Sequence, residues 1–231
     1  MTIQNNLEEV RNNIEEVLKK EGRDLNSLIL LAVTKNYDVE KIREAIRLGV
    51  TDIGENRVQE LVAKKEELGN ITNYHMIGSL QTNKVKYIID FIHLIHSLDR
   101  LSLLKELEKR AKNNGKIIHC LIQLNISKEK TKEGLYVEEL ENFVQEVEAC
   151  KYVKIKGLMT MAPHYENIED TRPVFRKAKA IFDDLKMREL KNFDMEYLSM
   201  GMSHDYKIAI EEGSNMVRIG TSIFGERDYS K

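Results

Sequence analysis

The sequence predicts an α/β fold, namely one closed (β/α)8 barrel of the TIM type with an extra helix at its N-terminus. The prediction rests on two observations. First, short apolar runs alternate with longer amphipathic stretches, and eight such runs lie between residues 28 and 219, one for about every 24 residues. Strands and helices alternating at this spacing form parallel βαβ units, and eight units close into a barrel. Second, no linker-like composition interrupts the series, so residues 1–231 are expected to be a single domain. The main alternative is an open, doubly wound sheet.

The elements follow in order from this pattern. The opening helix is indicated by apolar residues at helical spacing, and Gly22 ends it. The runs predicted as strands cover residues 28–34, 50–54, 74–78, 92–98, 117–126, 153–162, 195–201 and 215–220. Helices are predicted at 56–68, near 82–90 and at about 204–212, and on the apolar faces within 42–49, 104–111, 140–147 and 174–185. Charged stretches such as KKEEL at 64–68 are expected to be solvated helix faces.

Composition excludes several functional classes. The chain has 36 basic and 38 acidic residues, hence a net charge of −2, which disfavours sequence-independent binding to nucleic acid or to an anionic membrane. The longest clean apolar run, 28–33, is far shorter than the roughly 20 residues of a membrane-spanning helix. The N-terminus has no secretory signal pattern. Two cysteines, Cys120 and Cys150, are expected to be reduced core residues of a cytoplasmic protein.

Barrel active sites lie where strands end and the following loops begin. The loops after strands 7 and 8 often hold a phosphate, and here Ser203 has an N-cap residue type and precedes a short helix, while Gly220 and Thr221 follow strand 8. Gly201 and Gly225 also let backbone approach a ligand. A serine before a helix and a glycine after a strand are also common where elements merely begin or end. The sequence therefore leaves open whether these loops bind a phosphate or have only this structural role.

Two charged residues at strand ends are further candidates. Lys35 leaves the first strand over the barrel mouth, where partial desolvation would favour a neutral amine that can form an imine with an aldehyde. A solvated surface lysine is the alternative. Arg218 lies within the last strand, so it must be paired or meet a ligand such as an aromatic nitrogen base. A structural salt bridge is its alternative.

A metal site is not expected. His93 and His96 have a spacing that suits a metal on a helix, but both fall in the predicted fourth strand, where an odd separation places them on opposite faces. The sequence has no His-Glu-x-x-His or Cys-x-x-Cys pattern.

Six sequence blocks carry a resemblance to a known family. They are AVTK (32–35), IGENRVQE (53–60), HMIGSLQTNK (75–84), GLMTMAP (157–163), LSMGMSHD (198–205) and VRIGTSIFGER (217–227). In this order and over nearly the whole chain, they resemble the pyridoxal phosphate homeostasis proteins, the YggS-like or PROSC family. That family is similar to the barrel domain of alanine racemase, the third fold type of proteins that bind pyridoxal 5′-phosphate (PLP).

The resemblance implies that the chain binds PLP. Lys35 would hold it as an internal aldimine, a Schiff base, and Arg218 would face the pyridine nitrogen. The other implied cofactor-binding residues are Ser203, Gly220 and Thr221 at the phosphate, Ser199, Met200 and Gly201 shaping the same loop, and Asn56 and His75 near the ring side.

Three functions compete. The resemblance favours a non-catalytic carrier that holds PLP for intracellular homeostasis and supplies it to apo-enzymes. An amino-acid racemase needs a base on each face of the cofactor, and alanine racemases supply the second from an extra C-terminal domain. The sequence ends at Lys231, soon after strand 8, so that domain is expected to be absent. A Schiff-base aldolase would instead use Lys35 on a phosphorylated metabolite. A monomer is expected, because no exposed apolar helix is evident.

Overall fold

Eight parallel strands close into one barrel in the computed structural model, which describes residues 2–129 and 132–225. The strands are β1 Ile29–Val33, β2 Asp52–Glu55, β3 Asn73–Met76, β4 Leu94–Leu98, β5 Ile118–Leu124, β6 Val153–Thr160, β7 Phe193–Met202 and β8 Met216–Ile219. Each strand pairs with the next along the chain, and β8 pairs in parallel with β1. The predicted barrel is therefore confirmed and the open sheet is wrong.

Helices surround the barrel. They are α1 Ile3–Lys20, α2 Val39–Arg47, α3 Val58–Leu68, α4 Leu101–Asn113, α5 Leu140–Glu148, α6 Arg172–Met187, α7 Tyr206–Glu211 and α8 Thr221–Phe224. Short 3-10 helices cover Leu25–Ser27, Thr82–Tyr87, Val137–Glu139 and Ile168–Thr171. The helix predicted near 82–90 is present as the 3-10 helix Thr82–Tyr87. No helix in the described ranges combines the length and apolarity needed to cross a membrane.

Helix α1 packs on the outside of the barrel against α2, α7 and α8. It fills the position that a helix after β8 would normally occupy, because α8 has only four residues. The apolar face predicted from the sequence is buried, with Leu7 and Leu18 almost fully enclosed. The side-chain amide of Asn6 donates to the carbonyl of Ile223 at 2.9 Å. This contact ties α1 to the segment that follows β8.

The apolar core has two layers. The larger layer lies between the strands and the helices, and a smaller cluster fills the barrel. That inner cluster consists of Leu31, Val33, Leu94, Leu121, Met159 and Met216. Cys120 and Cys150 are both free and buried, as predicted. Polar side chains share the barrel interior with the inner cluster, and they connect to the candidate site.

Candidate functional site

Lys35 lies two residues after the end of β1, at the carboxyl end of the barrel, and is half-buried. The residue before it is anchored by the neighbouring helix. The Lys64 ammonium, from α3, donates to the carbonyl of Thr34 at 2.7 Å and forms a buried ion pair with Glu55. Glu55 also accepts a hydrogen bond from the Thr34 hydroxyl. The backbone that presents Lys35 is thus fixed from behind by charged groups.

The expectation that KKEEL at 64–68 forms a solvated face is wrong for its first residue. Lys64 is buried, together with Leu61 and Leu68 on the same side of α3. Burial raises the pKa of Glu55, and the Lys64 charge opposes that rise. The pair lies on the outer face of the sheet, between β2 and α3.

The residues after Lys35 are also held. Asn36 adopts a left-handed conformation with φ of 63°, and its amide donates to a carboxylate oxygen of Glu60 at 3.1 Å. The hydroxyl of Tyr37 donates to the carbonyl of Gly225 at 2.7 Å. The loop that carries Lys35 is therefore tied to the segment that follows β8.

The loops after β7 and β8 meet, as predicted for an anion site. The amide of Gly220 donates to the Ser203 hydroxyl at 3.4 Å. The amide of Thr221 begins α8 and has no intrahelical acceptor, so it is a donor available to an anion. Ser203 is not the N-cap of α7, because that position belongs to Asp205, whose carboxylate accepts from the amide of Met202 at 2.6 Å.

Three residues predicted to shape the phosphate loop lie instead in strand β7. The side chain of Met200 is fully buried in the outer core layer. Gly201 has a φ of +95°, and a Cβ there would come within 2.7 Å of the Ala209 Cβ, so only glycine lets α7 pack this closely. Ser199 points into the barrel, because its hydroxyl contacts side chains from β4 and β8.

Arg218 is buried inside the barrel. It donates to the Ser199 hydroxyl at 2.6 Å and to the carbonyl of Thr160 at 2.9 Å. No carboxylate of the described residues lies within 4.0 Å of its guanidinium, so a structural salt bridge, the alternative left open by the sequence, is wrong for that part of the chain. Burial lowers the pKa of Arg218 to about 10, against the opposing charge of Asp205. The side chain therefore remains a cation at neutral pH.

Asn56 and His75 have different environments. Asn56 is exposed just after β2, and its backbone passes so close to Gly78 that a Cβ there would meet the carbonyl oxygen at 2.5 Å. His75 is fully buried, with Nε2 2.9 Å from an Asp52 carboxylate oxygen and Nδ1 3.0 Å from His96 Nε2. Both ring nitrogens of His75 are occupied by protein groups, so neither is left for a ligand.

The expected placement of the other histidines is partly wrong. His93 precedes β4 and is exposed, whereas His96 lies within β4 and is fully buried. His93 approaches Asp52 and His75 instead, and one ligand atom from each of these three residues lies within 4.8 Å of the others. No periodic pattern in the sequence indicates this cluster, because its members come from three separate segments. The absence of a metal stays a prediction.

Asp52 and His96 are polar residues of the interior that the sequence reasoning missed. Burial by itself would raise the pKa of Asp52, but hydrogen bonds, above all those with His75 and Thr51, lower it to about 2. Burial lowers the pKa of His75 and lowers that of His96 well below its usual range. A signal was present in the sequence, since Asp52, His75 and His96 all interrupt otherwise apolar strand runs.

The buried histidines predict a pH dependence of stability. In the unfolded chain each takes up a proton below pH 6.5, whereas His75 and His96 resist protonation in the fold. The unfolded state then binds more protons, so the free energy of unfolding must fall as the pH drops. Between pH 7.5 and 5.5 we expect a loss of up to about 2.7 kcal/mol, measured by urea denaturation. His96→Gln should roughly halve the dependence, and equal stability at both pH values would contradict the prediction.

A cavity of about 780 Å³ adjoins the loops after β7 and β8 and is lined on its other side by α1. Ser203 and Thr221 line it from the loops, and Asn6 and Asn13 line it from α1. Lys35 and Arg218 are not among its lining residues. The cavity therefore lies beside the barrel mouth.

Comparison with known proteins gives consistent findings. A family model described as alanine racemase, N-terminal domain, matches residues 5–228. The pyridoxal phosphate homeostasis protein of Aquifex aeolicus (strain VF5) is 45% identical over 224 residues, which is 96% of this chain and 97% of that protein. PipY of Synechococcus elongatus PCC7942, solved with PLP bound, has a TM-score of 0.80 and 31% identity, covering 92% of this chain and all of that one. Alanine racemase from Corynebacterium glutamicum, at a TM-score of 0.69 and 16% identity, shares the fold; the match covers 96% of this chain and 62% of the racemase.

Proposed function

The chain belongs to the alanine racemase N-terminal domain family and, within it, to the pyridoxal phosphate homeostasis proteins, and on that premise we propose that it binds PLP covalently on Lys35 and serves in PLP homeostasis and supply. The observation that carries this proposal is Arg218, a buried cation whose described hydrogen bonds go only to neutral acceptors. A buried cation that forms no direct ion pair with the described residues calls for a ligand that accepts from it.

The donor set fits PLP in three respects. PLP supplies an aldehyde that reacts reversibly with a primary amine, a ring nitrogen that accepts a hydrogen bond, and a phosphate dianion. Lys35 offers the amine, and its backbone is held on both sides. The joined loops of Ser203, Gly220 and Thr221 offer hydroxyl and amide donors to the anion. Arg218 offers the donor for the ring nitrogen.

The remaining proposed site residues shape the site or hold its other residues in place. Asn56 lines the barrel mouth after β2, while Gly201 lets α7 approach β7 and so sets the course of the loop that carries Ser203. Ser199 accepts from Arg218, His75 stands behind it in the interior, and Met200 anchors β7 in the outer core.

Arg218 also bears on the type of function. A permanent cation beside the ring nitrogen disfavours protonation of that nitrogen, and an unprotonated ring withdraws electrons less strongly. The residue therefore suits a protein that holds the cofactor, or a racemase that avoids side reactions. The full-length relatives favour the first of these, since the homeostasis protein of Aquifex aeolicus aligns over 97% of its length.

Cellular setting and assembly are part of the proposal. The two free cysteines support a reducing compartment such as the cytoplasm. The exposed large apolar residues of the described ranges are scattered over separate segments, which supports a monomer. One closed barrel supports a single domain over residues 1–231. Apo-enzymes that depend on PLP are the proposed recipients of the cofactor.

The test is to add PLP to the purified ligand-free protein. We expect a visible absorbance band that borohydride bleaches, with the reduced adduct located on Lys35 by peptide mass mapping. A protein that stays colourless would overturn the proposal and favour a Schiff-base aldolase. Rapid racemisation of alanine or serine in a coupled assay would instead favour a racemase.

Ser203→Ala should weaken PLP binding without unfolding the protein. The hydroxyl that accepts from Gly220 is also a donor for the phosphate, and a hydrogen bond to a charged group contributes about 1–3 kcal/mol. Titration of ligand-free protein with PLP measures the effect. Ser102→Ala, at an exposed position on α4, is the matched control. An unchanged dissociation constant would remove Ser203 from the site.

A further inference from the structure

A continuous path of hydrogen bonds crosses the barrel interior from Arg218 to Asp52. Arg218 lies 2.6 Å from the Ser199 hydroxyl, which lies 3.2 Å from His96 Nδ1. His96 Nε2 lies 3.0 Å from His75 Nδ1, and His75 Nε2 lies 2.9 Å from the Asp52 carboxylate. The path joins strands β8, β7, β4, β3 and β2. Because β4 and β7 are not neighbours in the sheet, the path must run through the interior.

The chemistry of the end groups sets the direction of every bond. Arginine can only donate, so the Ser199 oxygen accepts from Arg218 and its hydrogen is left for His96 Nδ1. An ionised carboxylate can only accept, so His75 Nε2 must carry hydrogen toward Asp52. His75 Nδ1 then accepts from His96 Nε2. One set of tautomers satisfies all four bonds, with both histidines neutral and protonated on Nε2.

Opposite charges occupy the two ends of this path. Asp52 is anchored by the Thr51 hydroxyl at 2.6 Å and by the Asn73 amide at 3.0 Å, and the path leads from there to the cation of Arg218. Hydrogen bonds aligned in one direction polarise and strengthen one another. The negative charge of Asp52 can therefore act on Arg218 although the two residues do not touch.

We propose that Asp52, His75 and His96 are positioning residues that fix the Ser199 hydroxyl as an acceptor for Arg218 and supply a second, distant negative charge for that cation, in addition to the charge of Asp205. This inference rests on the proposed function, because it makes the path part of the support of the PLP ring. Without it, the Ser199 hydroxyl could rotate and turn its hydrogen toward Arg218. The path gives both buried histidines of the barrel interior a hydrogen-bond partner on each ring nitrogen.

The first test uses ligand-free protein, so its outcome does not depend on PLP. Two-dimensional ¹H–¹⁵N NMR of the histidine rings at pH 7 should show His75 and His96 neutral and protonated on Nε2. Spectra of His96→Gln and His93→Gln assign the signals. Protonation of either ring on Nδ1, or on both nitrogens, would overturn the inference even if PLP binds as proposed.

The second test couples the path to the ligand. Asp52→Asn keeps an oxygen that accepts from His75 but removes the charge, and we expect roughly tenfold weaker PLP binding. The same substitution in an Arg218→Gln background should change the affinity much less, because the cation at the other end is gone. His93→Gln, beside Asp52 but outside the path, is the matched control and should bind PLP normally.

The outcomes of the two tests are separable. Equal effects of Asp52→Asn in both backgrounds would overturn the coupling. Failure of the wild-type protein to bind PLP would overturn the proposed function. The histidine tautomers measured by NMR would then still decide whether the hydrogen-bond path exists. If Asp52→Asn does not fold, as checked by circular dichroism, the wild-type NMR spectrum decides alone.

Discussion

Replacing Lys35 with alanine is expected to abolish covalent attachment of PLP while the barrel stays folded. The hydrogen bonds that fix this loop start from Lys64, Asn36 and Tyr37, so they do not depend on the Lys35 side chain. The amine removed is the proposed nucleophile for the aldehyde, and no hydroxyl or amide can replace it. The visible band should vanish completely, and borohydride should leave no adduct on the protein.

Two comparisons make this experiment decisive. Lys41→Ala removes an exposed lysine of α2, six residues away, and should leave both the band and the adduct unchanged. Circular dichroism and urea denaturation of Lys35→Ala should match those of the wild-type protein. A borohydride-stable adduct that persists in Lys35→Ala would move the attachment point to another lysine.

Lys64→Met is expected to cause the largest loss of stability. Lys64 and Glu55 form an ion pair inside the fold, and the second carboxylate oxygen of Glu55 is buried with no hydrogen-bond partner among the described residues. Removing the cation leaves an uncompensated charge in a site shielded from water. Breaking a buried pair in this way costs about 3–5 kcal/mol. Urea denaturation at pH 7.5 measures the loss, with exposed Lys109→Met on α4 as the control.

The cause can be separated from a simple packing defect. In Lys64→Met the pKa of Glu55 in the fold rises further above its value in the unfolded chain. At low pH the Glu55 carboxyl is protonated and the fold tolerates it, but as the pH rises the carboxyl must ionise without a partner and the fold loses stability. The deficit should therefore be smaller at pH 5.5 than at pH 7.5. Adding Glu55→Gln removes the stranded charge and should recover part of the stability. A deficit under 1 kcal/mol would show that the pair carries no net stabilisation.

The barrel was predictable because it depends on a repeated, local pattern. Each strand is an apolar run, each helix has one apolar face, and the count of eight closes the sheet. The main candidate residues were predictable for the same reason. Lys35, Ser203 and Thr221 follow strands, and parallel strands deliver their ends to one mouth. The odd arginine of the last strand, Arg218, was conspicuous because charge is costly in an interior.

The features that the sequence did not predict are those that depend on the direction in which a side chain points. Lys64 looks like one charge among many, yet its spacing from Leu61 and Leu68 places it on the buried stripe of α3. Met200 looks like part of a ligand loop, but β7 extends to residue 202 and turns this side chain outward. The contact of His96 with Ser199 of β7 was not predicted, because the two residues are 103 positions apart in the sequence.

The order in which the ribosome makes the chain has a consequence for this molecule. The amine at position 35 emerges early, whereas the arginine and the anion-binding backbone belong to the eighth strand and the turn after it. Helix α1, although synthesised first, gains its neighbours α7 and α8 only when that strand has emerged. A nascent polypeptide consequently lacks the proposed vitamin-B6 pocket until the eighth strand has emerged, and the cofactor can bind there only after the barrel has closed.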